Sequence, residues 1–174
     1  QETVPQSRLA ITLIQGISAG DRMDYSVQKA AELGCVTLQP VLTEFCSQRI
    51  AAHKYEKKQQ HWQGVAISAC EQSGRADLMQ VLPIKTFIEV LSEYPSGVYL
   101  EPTARHSIHS LPTALQHTCA VYIGPEGGFS PTELDHMEEQ GLFGVQLGQR
   151  VLRTETMAPV VLSALHSLYG DFKP

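Results

Sequence analysis

The sequence has no long apolar run. No stretch of its 174 residues approaches the roughly 20 that a bilayer-spanning helix needs, so no membrane segment is predicted. No secretory signal is visible either, because residues 1–7 (QETVPQS) are polar; the chain also does not begin with Met. Residues 1–7 are therefore expected to be a linker or tail, and residues 8–174 a single domain, with the chain a piece of a longer one. Cysteine is scarce: Cys35, Cys46, Cys70 and Cys119 have no metal-finger spacing and read as reduced thiols of a cytoplasmic protein. His106 and His109 stand three apart with no cysteine near, so no metal site is expected. Positive charge is also short. A formal net charge of −5 argues against a protein-wide grip on nucleic acid. The exception is local: Arg49, Lys54, Lys57, Lys58 and Arg75 face only Glu56 and Glu71. That segment is either a solvated helix face or a phosphate-contacting patch.

What the chain does have is alternation. Apolar residues at 9, 11, 13 and 14 predict a strand over 8–16. Met23, Val27, Ala30 and Ala31 recur at helical spacing, with Asp21 as expected N-cap and Gly34 as stop. A short strand over 35–38 is expected to end at Pro40. A long helix over about 54–72 follows, with Trp62, Val65, Ala66 and Ala69 as its buried stripe. Further strands are predicted at 79–82, 97–100, 119–123 and 144–147. Helices are predicted at 86–94, 131–140 and 155–169, with a short helical or irregular piece at 106–111. The alternation predicts an α/β fold with a mainly parallel sheet flanked by helices. In such sheets ligand sites gather at the carboxyl ends of the strands.

Three loops at such ends could carry chemistry. The segment VYIGPEGGFSPTE (121–133) joins a strand to a helix whose start has a capping box, Ser130 with Glu133, and Pro131 at the first helical position. The loop lacks the Gly-Lys-Ser/Thr of a phosphate-binding Walker loop and the G-x-G-x-x-G of a dinucleotide fold. It is either a tight turn or backbone brought close to a ligand. The second loop, LGQRVLRTET (147–156), opens the last helix with Thr154 as candidate N-cap and holds Arg150 and Arg153. In the third, Leu100-Glu101-Pro102, the proline biases Glu101 toward an extended backbone. Glu71-Gln72-Ser73-Gly74-Arg75 closes the long helix, either as solvated side chains around a C-cap glycine or as part of a site.

Together the blocks EQSGR (71–75), IGPEGGFS (123–130) and LGQRVLRTET (147–156) resemble the RsmE-type ribosomal RNA methyltransferases of the SPOUT superfamily. DRMDYSVQKAAELG (21–34), and Thr43-Glu44 with Arg49, extend the likeness over nearly the whole chain. The resemblance implies a C-terminal trefoil knot, a homodimer and a cytoplasmic enzyme. Its activity would be S-adenosylmethionine-dependent methylation of uridine N3 in 16S RNA of the small ribosomal subunit. It also implies an N-terminal RNA-binding domain not contained in this chain. The cofactor would be held by Leu100, Glu101, Pro102, Ile123, Gly124, Pro125, Glu126, Gly127, Leu147, Gly148, Val151, Leu152, Arg153 and Thr156. Arg153 and Arg75 are the candidate charge stabilisers and Glu71 a candidate base, with Glu155 or solvent as rivals, while Glu126 is expected to orient its loop or the cofactor. Glu101 departs from the family's frequent His, and Met157 from its frequent Ala. Two other readings stay open: another SPOUT enzyme, such as a transfer-RNA ribose methyltransferase, and a non-catalytic nucleotide-binding module.

Overall fold

The computed structural model describes residues 7–46 and 49–172. The linker expected at 1–7 therefore lies, Ser7 apart, outside the described residues. Strands β1 (Ala10–Gly16), β2 (Thr37–Leu42), β3 (Gln80–Val81), β4 (Lys85–Thr86), β5 (Val98–Leu100), β6 (His106–Ser107), β7 (Thr118–Ile123) and β8 (Phe143–Gln146) form one sheet. Its order is β3-β2-β1-β7-β5-β8-β6, with β4 also on β2, and every pairing is parallel. Among the described residues four α-helices lie between strands, α1 (Asp21–Glu32), α2 (Tyr55–Gln72), α3 (Phe87–Glu93) and α4 (Pro131–Glu139), and a fifth, α5 (Thr154–Leu168), follows β8.

Both faces of the sheet are covered, and the period of two sorts the residues between them. Ile11 and Leu13 of β1 join Val27, Trp62, Ala66 and Leu162 under α1, α2 and α5. Ile14 joins Val41, Tyr122, Phe87 and Met137 under α3 and α4. Burying each large side chain contributes about 1.5–3 kcal/mol.

Several expectations shift. Asp21 is not the N-cap of α1; it is the first helical residue, and Gly20, at φ 57, makes the turn before it. Thr154 likewise begins α5, whose cap is Arg153. Its hydroxyl is used in a tertiary contact instead. Pro40 does not end β2, which runs to Leu42. Leu38 C=O accepts from Leu82 N–H on the outer side, and Val41 C=O accepts from Ile17 N–H on the β1 side. Alternation then turns Pro40 outward, into the break between β3 and β4, where no N–H is needed. The irregular piece at 106–111 begins with β6. The capping box of α4 stands as expected: Ser130 Oγ accepts from Glu133 N–H at 3.2 Å and Glu133 Oε2 from Ser130 N–H at 2.9 Å. An unexpected second one, Thr86 with Glu89, opens α3.

Candidate active site

Strands β7, β5 and β8 are neighbours, so the loops leaving their carboxyl ends are neighbours too. They enclose a cleft of about 580 Å³ lined by Leu100, Glu101 and Pro102, by residues 124–129, and by residues 151–155 with Met157. A recess of about 20 Å³ continues it past Leu147, Gly148 and Arg150. The structure thus brings together all the expected binding residues except two. Ile123 is fully buried at the end of β7. Thr156 lines neither cavity, and its N–H donates to Arg153 C=O at 2.9 Å.

Polar contacts fix the loops to one another. Glu126 Oε1 accepts from Ala19 N–H at 2.9 Å and from Arg22 Nη1 at 3.0 Å. Arg22 Nε also lies 3.8 Å from Glu155 Oε1. Glu126 therefore orients its loop, and Arg22 ties that loop to α1 and α5. The Thr154 hydroxyl donates to Gly124 C=O at 2.7 Å and accepts from Gln15 Nε2 at 3.1 Å, joining α5 to β7 and β1. Glu133, buried, uses its second oxygen on Glu44 N–H at 2.8 Å, coupling the loop after β2 to the glycine loop. Arg22, Phe129, Pro131 and Leu134 also line the cleft and were not among the expected residues. Their signal was present in the DRMDY block and the capped start of α4.

Two of the glycines are packed closely against other parts of the chain. A Cβ on Gly124 would meet the backbone of Gly128 at 2.9 Å, and one on Gly127 would meet Phe45 Cβ at 2.9 Å. Gly128 closes a turn onto Pro125 C=O at 2.9 Å and has φ 73, where side chains are strained. The tight turn and the pocket wall are therefore the same object.

A family model described as "RNA methyltransferase domain" matches residues 5–166. A ribosomal RNA small subunit methyltransferase E of Buchnera aphidicola is 33% identical over 169 residues, covering 95% of this chain and 68% of that relative. The chain belongs to this RNA methyltransferase family. The Mesomycoplasma hyopneumoniae member is 30% identical, over 91% of this chain and 69% of its own. The solved methyltransferase E of Neisseria gonorrhoeae, bound to S-adenosylmethionine, superposes with TM-score 0.89 at 38% identity, over 97% of this chain and 70% of that one. An RNA 2′-O ribose methyltransferase matches at 15% identity and TM-score 0.60, a likeness of fold alone.

Not every expected residue of this methyltransferase reaches the cleft. Arg153 lines it, exposed at the start of α5. Arg75 and Glu71 do not: α2 begins above the carboxyl end of β2 and runs down, so its last turn lies at the sheet's amino end. There Arg75, with 7% of its side chain exposed, pairs with Asp77 at 2.6 Å and donates to Ala31 C=O at 2.6 Å and Cys35 C=O at 2.9 Å. The guanidinium is committed to joining α1, β2 and the segment after α2. Burial pushes the thiols of Cys35 and Cys119 up to about 12, which leaves them inert. Among the described residues no three His, Cys, Asp or Glu cluster as metal ligands, and no helix is long and apolar enough to cross a membrane.

Proposed function

We propose that this chain is the catalytic part of a cytoplasmic, S-adenosylmethionine-dependent enzyme that methylates N3 of a uridine in small-subunit ribosomal RNA. The observation that carries the reading is one cleft built from three neighbouring loops, together with the cofactor-bound relative of the same fold. The lining suits that cofactor: Leu100, Pro102, Phe129, Leu152 and Met157 offer apolar walls to an adenine, and Glu101, Glu126 and Glu155 place carboxylates about a cationic sulfonium.

Bound S-adenosylmethionine supplies an electrophilic methyl group. The chain's own residues must favour loss of the uridine N3 proton and hold the base in line. Arg153 and Arg22 stand at the cleft as cations for the charge developing on O2 and O4. In this reading Glu155, on the cleft wall, takes the proton in place of Glu71, which does not line the cleft. The target base must leave its stack to reach them.

A homodimer fits the outward side of α5. Pro159, Val160, Ser163 and Ser167 form an uncharged strip there, and Val151 at the cleft mouth is 79% exposed. A threaded C-terminus fits the chain path: β8 lies beyond β5, yet Thr154 bonds back between β7 and β1.

Calorimetry with S-adenosylmethionine, and mass-spectrometric mapping of small-subunit RNA incubated with enzyme and cofactor, test the reading. 3-Methyluridine is expected; ribose methylation, or binding of ATP in place of the cofactor, would overturn it. Arg153→Ala is expected to slow single-turnover methyl transfer at saturating cofactor by about 10²–10³-fold. Glu155→Gln is expected to slow single-turnover methyl transfer, and a wild-type rate would remove Glu155 from the chemistry.

A further inference from the structure

A second cavity, of about 470 Å³, lies beside the cleft and shares Glu101 and Leu134 with it. Its size is within the roughly 300–1,000 Å³ of ordinary ligand sites. The methyl-transfer chemistry uses none of its other residues. On one wall the His106 ring, from the edge strand β6, stacks on Phe143 with centroids 4.3 Å apart and planes at 23°. Tyr99, almost fully buried, donates its hydroxyl to Glu138 Oε1 at 3.1 Å. That bond engages one carboxylate oxygen of Glu138. Arg105 lines the same cavity.

We propose that this cavity binds a guanine base of the RNA strand whose neighbouring nucleotide enters the cleft. The proposal rests on the RNA-methylation reading and extends it to a second nucleotide. The flat imidazole backed by Phe143 is a stacking surface of the kind single-stranded bases use. Carboxylates beside it accept N–H donors, and guanine presents two adjacent ones, N1–H and N2–H. Its other edge, O6 and N7, is the partner an arginine takes. Cytosine and adenine offer one amino group next to an unprotonated ring nitrogen, which a carboxylate repels. Uracil offers one N–H between two carbonyls. A guanidinium from a protein partner would also stack, but Arg105 lines the same space and opposes it.

The test is titration of the 174-residue chain with guanosine 5′-monophosphate, with S-adenosylhomocysteine saturating the cleft, followed by the NMR signals of His106. Saturable binding is expected. It should exceed that of the adenosine, cytidine and uridine monophosphates, and weaken about tenfold or more in His106→Ala and Glu138→Gln. Both side chains are exposed, and circular dichroism confirms the folds. Equal binding of all four nucleotides, no binding, binding unchanged in both variants, or binding of an arginine amide in preference to the nucleotide would each overturn the proposal. The nucleotide titration needs no methyl transfer, so it can fail while methylation stands, and it can succeed if the methylation reading falls. In the methylation assay the two variants should raise KM for RNA and leave cofactor affinity unchanged.

Discussion

The two ends of the sheet treat their charges differently. At the amino end, Arg75 spends its guanidinium on Asp77 and two carbonyls, and His166 is fully buried with Nδ1 3.0 Å from Asp171. At the carboxyl end Arg22 keeps 46% of its side chain exposed while paired with Glu126, and Arg153 is exposed on the cleft wall. Charges at one end are consumed in holding elements together. At the other they keep access to whatever enters, Arg22 even while it ties the glycine loop to α1 and α5. The same residue type thus does opposite work according to which way the strands point.

The largest expected effect tests that division. Arg75→Ala would leave Asp77 and two carbonyls without their donor, at a cost of about 2–4 kcal/mol in urea unfolding. Cofactor affinity of the folded fraction should stay near wild type. Unchanged stability with lost methyl transfer would return Arg75 to the chemistry and break the comparison.

That placement could have been read from the sequence. In a parallel strand–helix–strand unit the helix runs back to the amino end, so the last turn of α2 must end away from the cleft. The motif EQSGR drew attention to residue types rather than to direction. Local signals are legible in the sequence. Ser130, Pro131 and Glu133 lie within four positions, and their capping bonds need nothing from elsewhere. Glu44 N–H on the same carboxylate was not legible, because that contact spans 89 positions. The glycines signalled freedom of the backbone but not its reason, since Phe45 and Gly128 approach them only in the folded chain. The two-residue strands β4 and β6 carry no periodicity that a sequence could display.

The next effect sharpens the carboxyl end. Glu133→Gln removes one of two carboxylate acceptors shared by Ser130 and Glu44. A loss of about 1–3 kcal/mol is expected, accompanied by weaker cofactor binding, because the glycine loop of the cleft loses its latch to the loop after β2. If binding holds while stability falls, the latch serves the fold alone. Gly127→Ala should do less. Its Cβ would meet Phe45 Cβ at 2.9 Å and Phe45 C=O at 3.3 Å, so the segment carrying Phe45 must shift by a few tenths of an ångström, while Gly127 has no positive φ to strain. A cost within about 1 kcal/mol is expected, with cofactor affinity reduced but not abolished. Abolished binding in a folded Gly127→Ala protein would mean that the ligand, and not Phe45, occupies that space.

The smallest effect belongs to the amino end. Burial lowers the His166 pKa from its ordinary 6.5, Arg75 adds to the lowering, and Asp171 opposes both. Folding therefore disfavours the imidazolium. Between the folded midpoint and 6.5 the unfolded chain binds more protons, so stability rises with pH across that window. The contribution is complete above 6.5 and is lost as the solution is acidified through the window. Urea midpoints measured from pH 7.5 down to 5.5 should fall for the wild type and fall less for His166→Gln. Among the described residues Nε2 of His166 has no hydrogen-bond partner, and protonation would put a buried N–H there, 3.3 Å from where a Cβ on Gly34 would stand. A wild-type midpoint that rises on acidification would show the Asp171 pair outweighing burial, and would make the amino end a second place where charge remains available.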